Sequence, residues 1–307
     1  MKRVLVTGAT GFVGRNSLEP LAADGFEVHA VHAQGAPTGP ATWHQADLLD
    51  RGAVVRLLDE VQPTHLLHFA WYAEHGQFWK SPRNLAWVEA TLGLLREFAE
   101  RGGRRAVLAG SCAEYDWRYG QCVERTTPTE AATLYGTCKN AVRTIAESYA
   151  TGAGLSLAWG RIFFLFGPRE DERRLVPSVI RSVQSGGPVR CSHGRQYRDF
   201  LHVADCAGAF AQLLASPVEG PVNIASGQPV TIGSIVQTIT ALIPGGANVP
   251  IEFGAFPTPP DDPPLLTADV RRLTQEVGWT PRFPLVDGLI QTIQSMGVAV
   301  EAQPGET

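Results

Sequence analysis

The 307-residue sequence lacks any apolar segment approaching the roughly 20 residues that a membrane-spanning helix needs. Only three residues precede the apolar run that begins at Val4, which predicts that no signal peptide is present. An excess of positive charge is also missing, since 26 Lys and Arg residues stand against 30 Asp and Glu residues, for a formal net charge of -4. We therefore expect neither a nucleic-acid partner nor a membrane partner.

Cysteine is scarce as well. The five cysteines form an odd set without a C-x-x-C pair, which fits neither a disulfide framework nor a zinc site. The scattered histidines suggest no metal site either. This cysteine usage predicts a soluble protein of the reducing cytoplasm.

What the first half of the chain does contain is an alternation of short apolar runs with longer segments of helical periodicity. The alternation predicts β-α-β units and a parallel sheet, that is, a doubly wound α/β fold of the Rossmann type. The predicted strands are 4–7, 27–32, 65–70, 105–110 and 155–161, with a further strand before residue 47. The predicted helices are 13–23, 50–61, 84–101 and 135–151.

A glycine pattern connects the first predicted strand to the first predicted helix. Gly8, Gly11 and Gly14 form a G-x-x-G-x-x-G turn, and their missing side chains would let a dinucleotide pyrophosphate approach the N–H groups of a helix N-terminus. A turn that only packs is the alternative, but the strand-turn-helix context favours cofactor binding. The predicted cofactor site also takes in other residues of the turn, Thr10, Phe12 and Val13.

The adenosine end of this site is less regular. An acidic residue about 20 residues after the turn usually holds the ribose of NAD, yet the second strand ends at His32 without a carboxylate. Such a site would admit the 2'-phosphate of NADP, although no arginine follows directly to bind it, so NADP is slightly favoured over NAD. Asp47, followed by Leu48, is predicted to accept from the adenine amino group, with helix capping as the alternative.

Tyr135 and Lys139 lie four residues apart in a segment of helical periodicity, so both would face one side of a helix. A neighbouring ammonium lowers the pKa of a phenol and allows it to exchange a proton near neutral pH. The spacing alone occurs by chance in many helices. Together with the glycine turn, it predicts an enzyme that transfers protons.

With these motifs the chain resembles the extended short-chain dehydrogenases/reductases of the NAD-dependent epimerase/dehydratase family. Four further segments carry the resemblance, namely 67–70, which adds Phe69 and Ala70 to the predicted cofactor site, 84–88, 161–169 and 198–205. The last two are similar to blocks found in members that act on nucleotide sugars. The resemblance implies an NAD(P)-dependent oxidoreductase with a nucleotide-sugar substrate. It also implies a homodimer formed through the helices that begin near Asn84 and Tyr135.

By this resemblance Tyr135 is the catalytic acid and base, while Lys139 lowers its pKa and binds the nicotinamide ribose. Asn84 would position Lys139 through a water molecule. The serine or threonine of the family aligns best with Cys112, whose thiol is a weak hydrogen-bond donor, and Ser111 directly precedes it. Either residue could fill that role.

The expected reaction depends on a block that is altered here. Family dehydratases carry T-D-E, whereas this chain reads Cys112-Ala113-Glu114, so the acid expected for dehydration is absent while Glu114 keeps a carboxyl for acid/base work. We expect a ketoreductase acting on a nucleotide-linked 4-keto-6-deoxy sugar, as in deoxysugar biosynthesis. The alternative is an epimerase or dehydratase that recycles NAD internally. A catalytically inactive cofactor sensor is disfavoured because the tyrosine and lysine are retained.

Substrate contacts are expected from two regions besides Glu114. Trp71 and His75 follow the fourth strand, where the resemblance places the sugar pocket, although aromatic clusters more often pack in a core. Arg169, Arg195 and Arg198 lie in or near the blocks that resemble diphosphate-binding segments, and a guanidinium suits phosphate geometry. Surface exposure is the alternative for these arginines.

The second half of the chain is rich in proline and glycine, which predicts a smaller C-terminal substrate-binding cap. The alanine-rich segment 203–215 predicts a helix that packs back on the first sheet, and 256–266 predicts an extended loop. We therefore assign residues 1–166 and about 200–225 to the dinucleotide-binding domain, and 167–199 and 226–300 to the substrate-binding domain. The tail, 301–307, is expected to be disordered.

Overall fold

In the computed structural model, which describes residues 2–35 and 37–301, strands and helices alternate as predicted. The first elements are β1 (Arg3–Thr7), α1 (Gly14–Ala23), β2 (Glu27–His32), β3 (Thr42–Gln45), α2 (Arg51–Val61), β4 (His65–His68), α3 (Arg83–Glu100), β5 (Arg105–Ser111), β6 (Gln121–Cys122), α4 (Leu134–Ala153) and β7 (Ser156–Ile162). They are followed by β8 (Phe164–Phe166), α5 (Leu175–Gln184), β9 (Val189–Arg190), β10 (Tyr197–His202), α6 (Val203–Ala215), β11 (Gly220–Ile224), β12 (Pro229–Thr231), α7 (Ile232–Leu242), β13 (Ile251–Glu252), β14 (Leu265–Ala268) and α8 (Leu285–Ser295).

A seven-stranded sheet of order β11-β7-β5-β4-β1-β2-β3 forms the centre of the fold, and all of its pairings are parallel. The strand order reverses between β1 and β4, because the chain runs outward from β1 to β3 and then returns to the other side of β1. Doubly wound sheets bind ligands at the carboxyl ends of the strands beside such a reversal. The predicted fold class is confirmed, and the crevice to inspect lies beyond Thr7 and His68.

The main sheet is covered on both faces. Val4 and Val6 of β1 pack with α1 and α6 on one face, whereas Leu5 packs with α2, α3 and α4 on the other. Successive strand residues point to opposite faces, so a strand buried on both sides must be apolar throughout. Helix α6 lies where the alanine-rich segment predicted it, and it packs against α1.

A second, smaller sheet has the order β12-β10-β14-β6, with β8 also paired to β10. Helices α5, α7 and α8 pack in the apolar cluster beside it. Strands β6 and β8 belong to this sheet by pairing, although the predicted boundaries placed residues up to 166 with the first domain. In the case of β8, Phe164–Phe166 follows β7 closely and pairs with residues 200–202. The chain therefore passes from the main sheet to the second sheet before residue 166.

Two further predictions concern the C-terminal region. The predicted loop 256–266 is irregular up to residue 264, and its last two residues begin β14. The predicted disordered tail lies, apart from Glu301, outside the described residues. Across 2–35 and 37–301, no helix is both long and apolar enough to cross a bilayer.

Candidate functional site

A cavity of about 730 Å³ lies at the carboxyl ends of the main-sheet strands and continues to the second sheet. The predicted site residues that line it are Gly8, Thr10, Gly11, Phe12, Val13, Gly14, Asp47, Leu48, Phe69, Ala70, Trp71, Ser111, Cys112, Tyr135, Lys139 and Arg198. The predicted residues outside its lining are His32, His75, Asn84, Glu114, Arg169 and Arg195. The structure therefore gathers the glycine turn, the tyrosine-lysine pair and one arginine around a single space.

The glycine turn leaves no room for side chains. Gly8 has a φ of +65°, and a Cβ on it would lie 2.7 Å from the backbone nitrogen of Ala70. A Cβ on Gly14 would lie 2.2 Å from the Gly8 carbonyl oxygen. The turn leads directly into α1, whose N-terminus has no side-chain cap. These features fit a dinucleotide pyrophosphate, which would receive hydrogen bonds from the free N–H groups of the helix.

The adenosine end of the cavity requires a correction for His32. Val31 and Ala33 line the cavity, so the side chain between them points to the opposite face of the strand. There His32 packs edge-on against Trp43, with ring centroids 6.1 Å apart. Asp47 does line the cavity, and its Oδ1 accepts from the Leu49 backbone N–H at 2.9 Å.

Helix α2 resolves the alternative considered for Asp47. The residue that caps this helix is Asp50, whose side chain accepts from the Gly52 N–H at 2.8 Å. Asp47 therefore does not act as the N-cap, and its carboxylate remains at the cavity.

Tyr135 lies in the first turn of α4, which begins after the capping residue Thr133. The half-buried phenol ring stands edge-on to Phe78 and Trp79, with centroid distances of 4.9 and 5.8 Å. Burial raises the pKa of Tyr135 above its ordinary value, whereas the Ser111 hydroxyl acts on the phenol in the opposite direction. Of the two residues considered for the hydroxyl role, Ser111 is the one that opposes the effect of burial on the pKa of Tyr135, whereas Cys112 acts in the same direction as burial.

Cys112 occupies a different environment. It lines the cavity but belongs to a buried apolar cluster, and burial raises the pKa of the thiol. A buried, protonated thiol is a poor donor and a poor nucleophile.

Lys139 is buried, with 3% of its surface exposed. Its Nζ donates to the Ala109 carbonyl at 2.8 Å and lies 3.9 Å from the centroid of the Trp71 ring. Burial lowers the pKa of Lys139 to about 7, while Glu114 acts against this shift. Nearby His68 does not add a second charge, because burial lowers the pKa of this histidine to about 3.

Asn84 is linked to Lys139 through the side chain of Trp71. Its amide oxygen accepts from the Trp71 indole N–H at 2.8 Å, and its amide nitrogen donates to the Phe78 and Ser81 carbonyls at 2.7 and 2.9 Å. The side chain between Asn84 and Lys139 is therefore Trp71. Asn84 fixes the indole ring against which the ammonium lies.

Glu114 does not face the sugar region. Its side chain is fully buried, and it accepts from the Arg161 Nε at 2.7 Å and from the Trp159 indole at 2.9 Å. The same carboxylate accepts from the Ser111 backbone N–H at 2.8 Å, because both residues belong to one short 3-10 turn. The expected substrate or acid/base role of Glu114 is thus corrected to that of a buried ion-pair partner.

The predicted arginines are divided between two environments. Arg198 lines the cavity, but its Nη2 already donates to Asp262 Oδ1 at 2.5 Å. Arg169 and Arg195 are exposed outside the lining, and Arg169 adopts a left-handed φ of +68°. His75 also lies outside the lining.

Several lining residues were not predicted from the sequence. They are aromatic or charged and include Phe78, Trp79, Trp117, Phe164, Arg174 and Asp262. Arg174 directly precedes α5 and belongs to no sequence motif that would mark it as a site residue. Asp262 lies in a proline-rich loop, and only the tertiary fold brings that loop to the cavity. The sequence shows the cluster of aromatic residues after β4, but it does not show that their side chains face the cavity.

The doubly wound sheet and the cavity with its glycine turn and tyrosine-lysine pair are those of the nicotinamide-dependent enzymes with a Rossmann fold. Sequence comparison identifies the family. Residues 4–226 match the NAD dependent epimerase/dehydratase family, and the chain belongs to it. The predicted resemblance is confirmed.

Individual relatives act on UDP-sugars. UDP-glucuronic acid decarboxylase 1 of Danio rerio is 27% identical over 323 residues, which cover 98% of this chain and 74% of the relative. A UDP-glucose 4-epimerase from Thermus thermophilus, solved in complex with NAD, has a TM-score of 0.83 and 26% identity, covering 96% of this chain and 99% of the other. MoeE5, solved with UDP-glucuronic acid and NAD, has a TM-score of 0.80 and 27% identity over 96% and 99% of the two chains.

Proposed function

We propose that this chain is an NAD-dependent nucleotide-sugar epimerase, or a closely related enzyme, which oxidises a sugar hydroxyl transiently and recycles its cofactor in place. The observation that carries the proposal is the continuous cavity that joins the glycine turn to Tyr135, Lys139 and the second sheet. Two of the relatives described above are named as a decarboxylase and an epimerase, and neither is named as a reductase. This function is therefore favoured over the ketoreductase expected from the sequence.

The residues of the site suit such a cycle. When bound, NAD supplies the acceptor and later the donor of a hydride. Tyr135 takes the proton of the sugar hydroxyl and returns it when the carbonyl is reduced, and Ser111 favours the ionised phenol during this exchange. Phe78 and Trp79 pack edge-on against the phenol ring, and they shield the proton that Tyr135 transfers from water.

Dehydration is less compatible with the same residues. It needs an acid and a base beside the sugar, and Ala113 stands where the family dehydratases carry Asp. Glu114 is committed to Arg161 and Trp159 inside the protein. Epimerisation and oxidative decarboxylation remain, and both begin with oxidation of a hydroxyl assisted by Tyr135.

NAD is the proposed cofactor. The adenosine end of the cavity is lined by residues such as Val31, Ala33, Asp47 and Leu48, and the charged side chain among these is a carboxylate. A 2'-phosphate would need a cation there. Two solved relatives carry NAD in their structures.

We also propose a UDP-linked sugar as substrate, by analogy with the named relatives, and a homodimer. Leu85 of α3 and Ile145 of α4 are 54% and 50% exposed, and these two helices pack side by side. A second copy that covers them would remove this apolar surface from water. Size-exclusion chromatography with light scattering tests the dimer.

The decisive experiment incubates the purified protein with UDP-glucose or UDP-glucuronic acid and a catalytic amount of NAD, followed by NMR of the sugar. We expect an epimerised or decarboxylated product without net formation of NADH, and no product from a Tyr135→Phe variant. Parallel assays with NADP test the cofactor. Net oxidation of NADPH by 4-keto-6-deoxy sugar nucleotides, with no change in the other sugars, would instead establish the ketoreductase.

A further inference from the structure

The carboxylate of Glu114 is bound to the end of β5, the strand that carries Ser111 to the cavity. The pairing of β5 with β4 ends at Leu108. Beyond that residue, side chains bind two backbone groups of β5. The Ala109 carbonyl accepts from Lys139 at 2.8 Å, and the Ser111 N–H donates to Glu114 Oε1 at 2.8 Å. Glu114 therefore helps to fix Ser111, although it does not line the cavity itself.

Two residues of β7 hold this carboxylate in place. Its Oε2 accepts from the Arg161 Nε at 2.7 Å, and its Oε1 also accepts from the Trp159 indole at 2.9 Å. The side chains of Glu114 and Arg161 are 0% and 1% exposed. Charge-assisted hydrogen bonds are both stronger and more geometrically specific than neutral ones, so the carboxylate is held in one orientation.

Gly110 makes the approach of the carboxylate to β5 possible. A Cβ on Gly110 would lie 2.0 Å from the Trp159 indole nitrogen and 2.6 Å from Glu114 Oε1. Any other residue would therefore push the indole and the carboxylate away from the strand. The sequence thus has a glycine at the point where this contact requires one.

A local turn cap is the simpler explanation for Glu114, because Glu114 and Ser111 form the capping box of one short 3-10 turn. Such a cap needs only the acceptor that a Glu or Gln side chain supplies. Here the carboxylate is fully buried and paired with a guanidinium from another strand, an arrangement that carries a desolvation cost. A buried ion pair at the end of β5 is more than a three-residue turn requires.

The position of Ser111 matters because of its hydroxyl group. The Oγ accepts from the Ala113 N–H at 3.2 Å, so the backbone of the same turn orients it. A hydroxyl that accepts a hydrogen bond keeps its own hydrogen for donation, and Ser111 favours the ionised phenol of Tyr135. A shift of the end of β5 would move this donor relative to the phenol.

We propose that Glu114 is a positioning residue that acts through the Ser111 backbone and, together with Arg161, fixes the Ser111 hydroxyl at the proton-transfer site. The inference rests on the proposed function, because it takes Tyr135 to exchange a proton with a sugar hydroxyl. A displacement of about 1 Å in a reacting group can cost on the order of 100-fold in rate. Substrate affinity depends on the cavity lining, to which Glu114 does not belong. Loss of the contact should therefore lower kcat and leave KM unchanged.

Two double variants separate the hydrogen bond from the charge. Glu114→Leu/Arg161→Met removes both charges and the acceptor of the Ser111 N–H. Glu114→Gln/Arg161→Met removes the same charges but keeps an acceptor. With NAD and UDP-glucose or UDP-glucuronic acid, we expect the first variant to lose about tenfold or more in kcat at an unchanged KM. The second should recover most of this loss, and equal kcat values in the two would overturn the inference.

A mutant cycle with Ser111 distinguishes positioning from a general loss of structure. Ser111→Ala alone should lower kcat by about 100-fold. If Glu114 acts through the Ser111 hydroxyl, its removal has little further effect once that hydroxyl is absent. Adding Glu114→Leu/Arg161→Met to Ser111→Ala should therefore lower kcat by no more than about twofold again. Two losses that multiply in full would overturn the inference.

Hydrogen exchange of the Ser111 amide, measured by NMR, tests the contact without turnover. The amide should exchange slowly in the wild-type protein and in Glu114→Gln/Arg161→Met. In Glu114→Leu/Arg161→Met it should exchange about tenfold faster or more, because the N–H has lost its acceptor. Rapid exchange in the wild-type protein would overturn the inference even if neither double variant folds.

Glu97→Gln is the matched control for loss of stability. The Glu97 carboxylate is also buried and paired with arginines, at 2.8 Å from Arg51 and 2.7 Å from Arg101, but it lies outside the cavity lining. This variant should lose stability and keep kcat, and a kcat that falls with stability here as well would overturn the inference. Absence of any product from the wild-type protein would remove the proposed function for UDP-sugars, and the inference with it.

Discussion

The ammonium of Lys139 lies 3.9 Å from the centre of the Trp71 ring, and the indole N–H of that ring donates to Asn84 at 2.8 Å. Asn84 is in turn fixed by two carbonyls of the loop that precedes α3. A chain of contacts thus leads from this loop to the buried lysine beside the proton-transfer site. The aromatic face stabilises the charged form of the lysine, whereas burial favours the neutral form.

Trp71→Leu should therefore lower the pKa of Lys139 below its present value of about 7. A cation–π contact of about 0.5–2 kcal/mol corresponds to roughly 0.4–1.5 pH units. Because the charged lysine is lost as pH rises through its pKa, the alkaline limb of the pH-activity profile should move to lower pH. Trp71→Phe keeps an aromatic face and should shift the limb less. A uniform loss of rate with an unchanged profile would contradict this role for the ring.

Replacing Lys139 itself should stabilise the protein. Its pKa falls from 10.5 in a free side chain to about 7 in the fold, so between these values the unfolded chain binds more protons and stability rises with pH. Below pH 7 the buried side chain is charged, so the free-energy cost of burying the ammonium is fully present. Lys139→Met should raise the free energy of unfolding by about 1–4 kcal/mol at pH 6. The gain should shrink towards pH 10.

Urea denaturation at pH 6 and at pH 9 measures this difference. Wild-type and variant proteins of equal stability at pH 6 would show that the hydrogen bond to Ala109 and the contact with Trp71 already offset the cost of burial. Enzymatic activity should be lost in the variant at every pH.

Ser111 and Cys112 can be separated by substitution. Ser111→Ala removes the hydroxyl that interacts with Tyr135 and should lower kcat by about 100-fold, the usual effect of losing one preorganised donor. Ser111→Thr should restore much of the rate. Cys112→Ala should leave kcat within severalfold of the wild-type value, because the thiol is buried in an apolar cluster and is a weak hydrogen-bond donor. The opposite ranking of the two alanine variants would return the role to Cys112.

The sequence was sufficient where function depends on local geometry. The glycine turn and the Tyr135-Lys139 spacing are set within one turn or one helix, and the structure places both at the same cavity. The direction of His32 was missed because moving one residue along a strand reverses the face. Arg174 has no local pattern at all, and only the packing of α5 against the cavity gives it a position.

Glu114 illustrates the same limit, since its partner Arg161 lies 47 residues away on β7 and the pairing is a product of the tertiary fold. Glu114→Gln leaves a buried guanidinium without its counter-charge and should lower the free energy of unfolding by about 3 kcal/mol or more. The double variant Glu114→Gln/Arg161→Met removes both charges and should recover part of that loss. Thermal and urea denaturation measure both effects. A Glu114→Gln protein with wild-type stability and no activity would show instead that this carboxyl takes part in the chemistry.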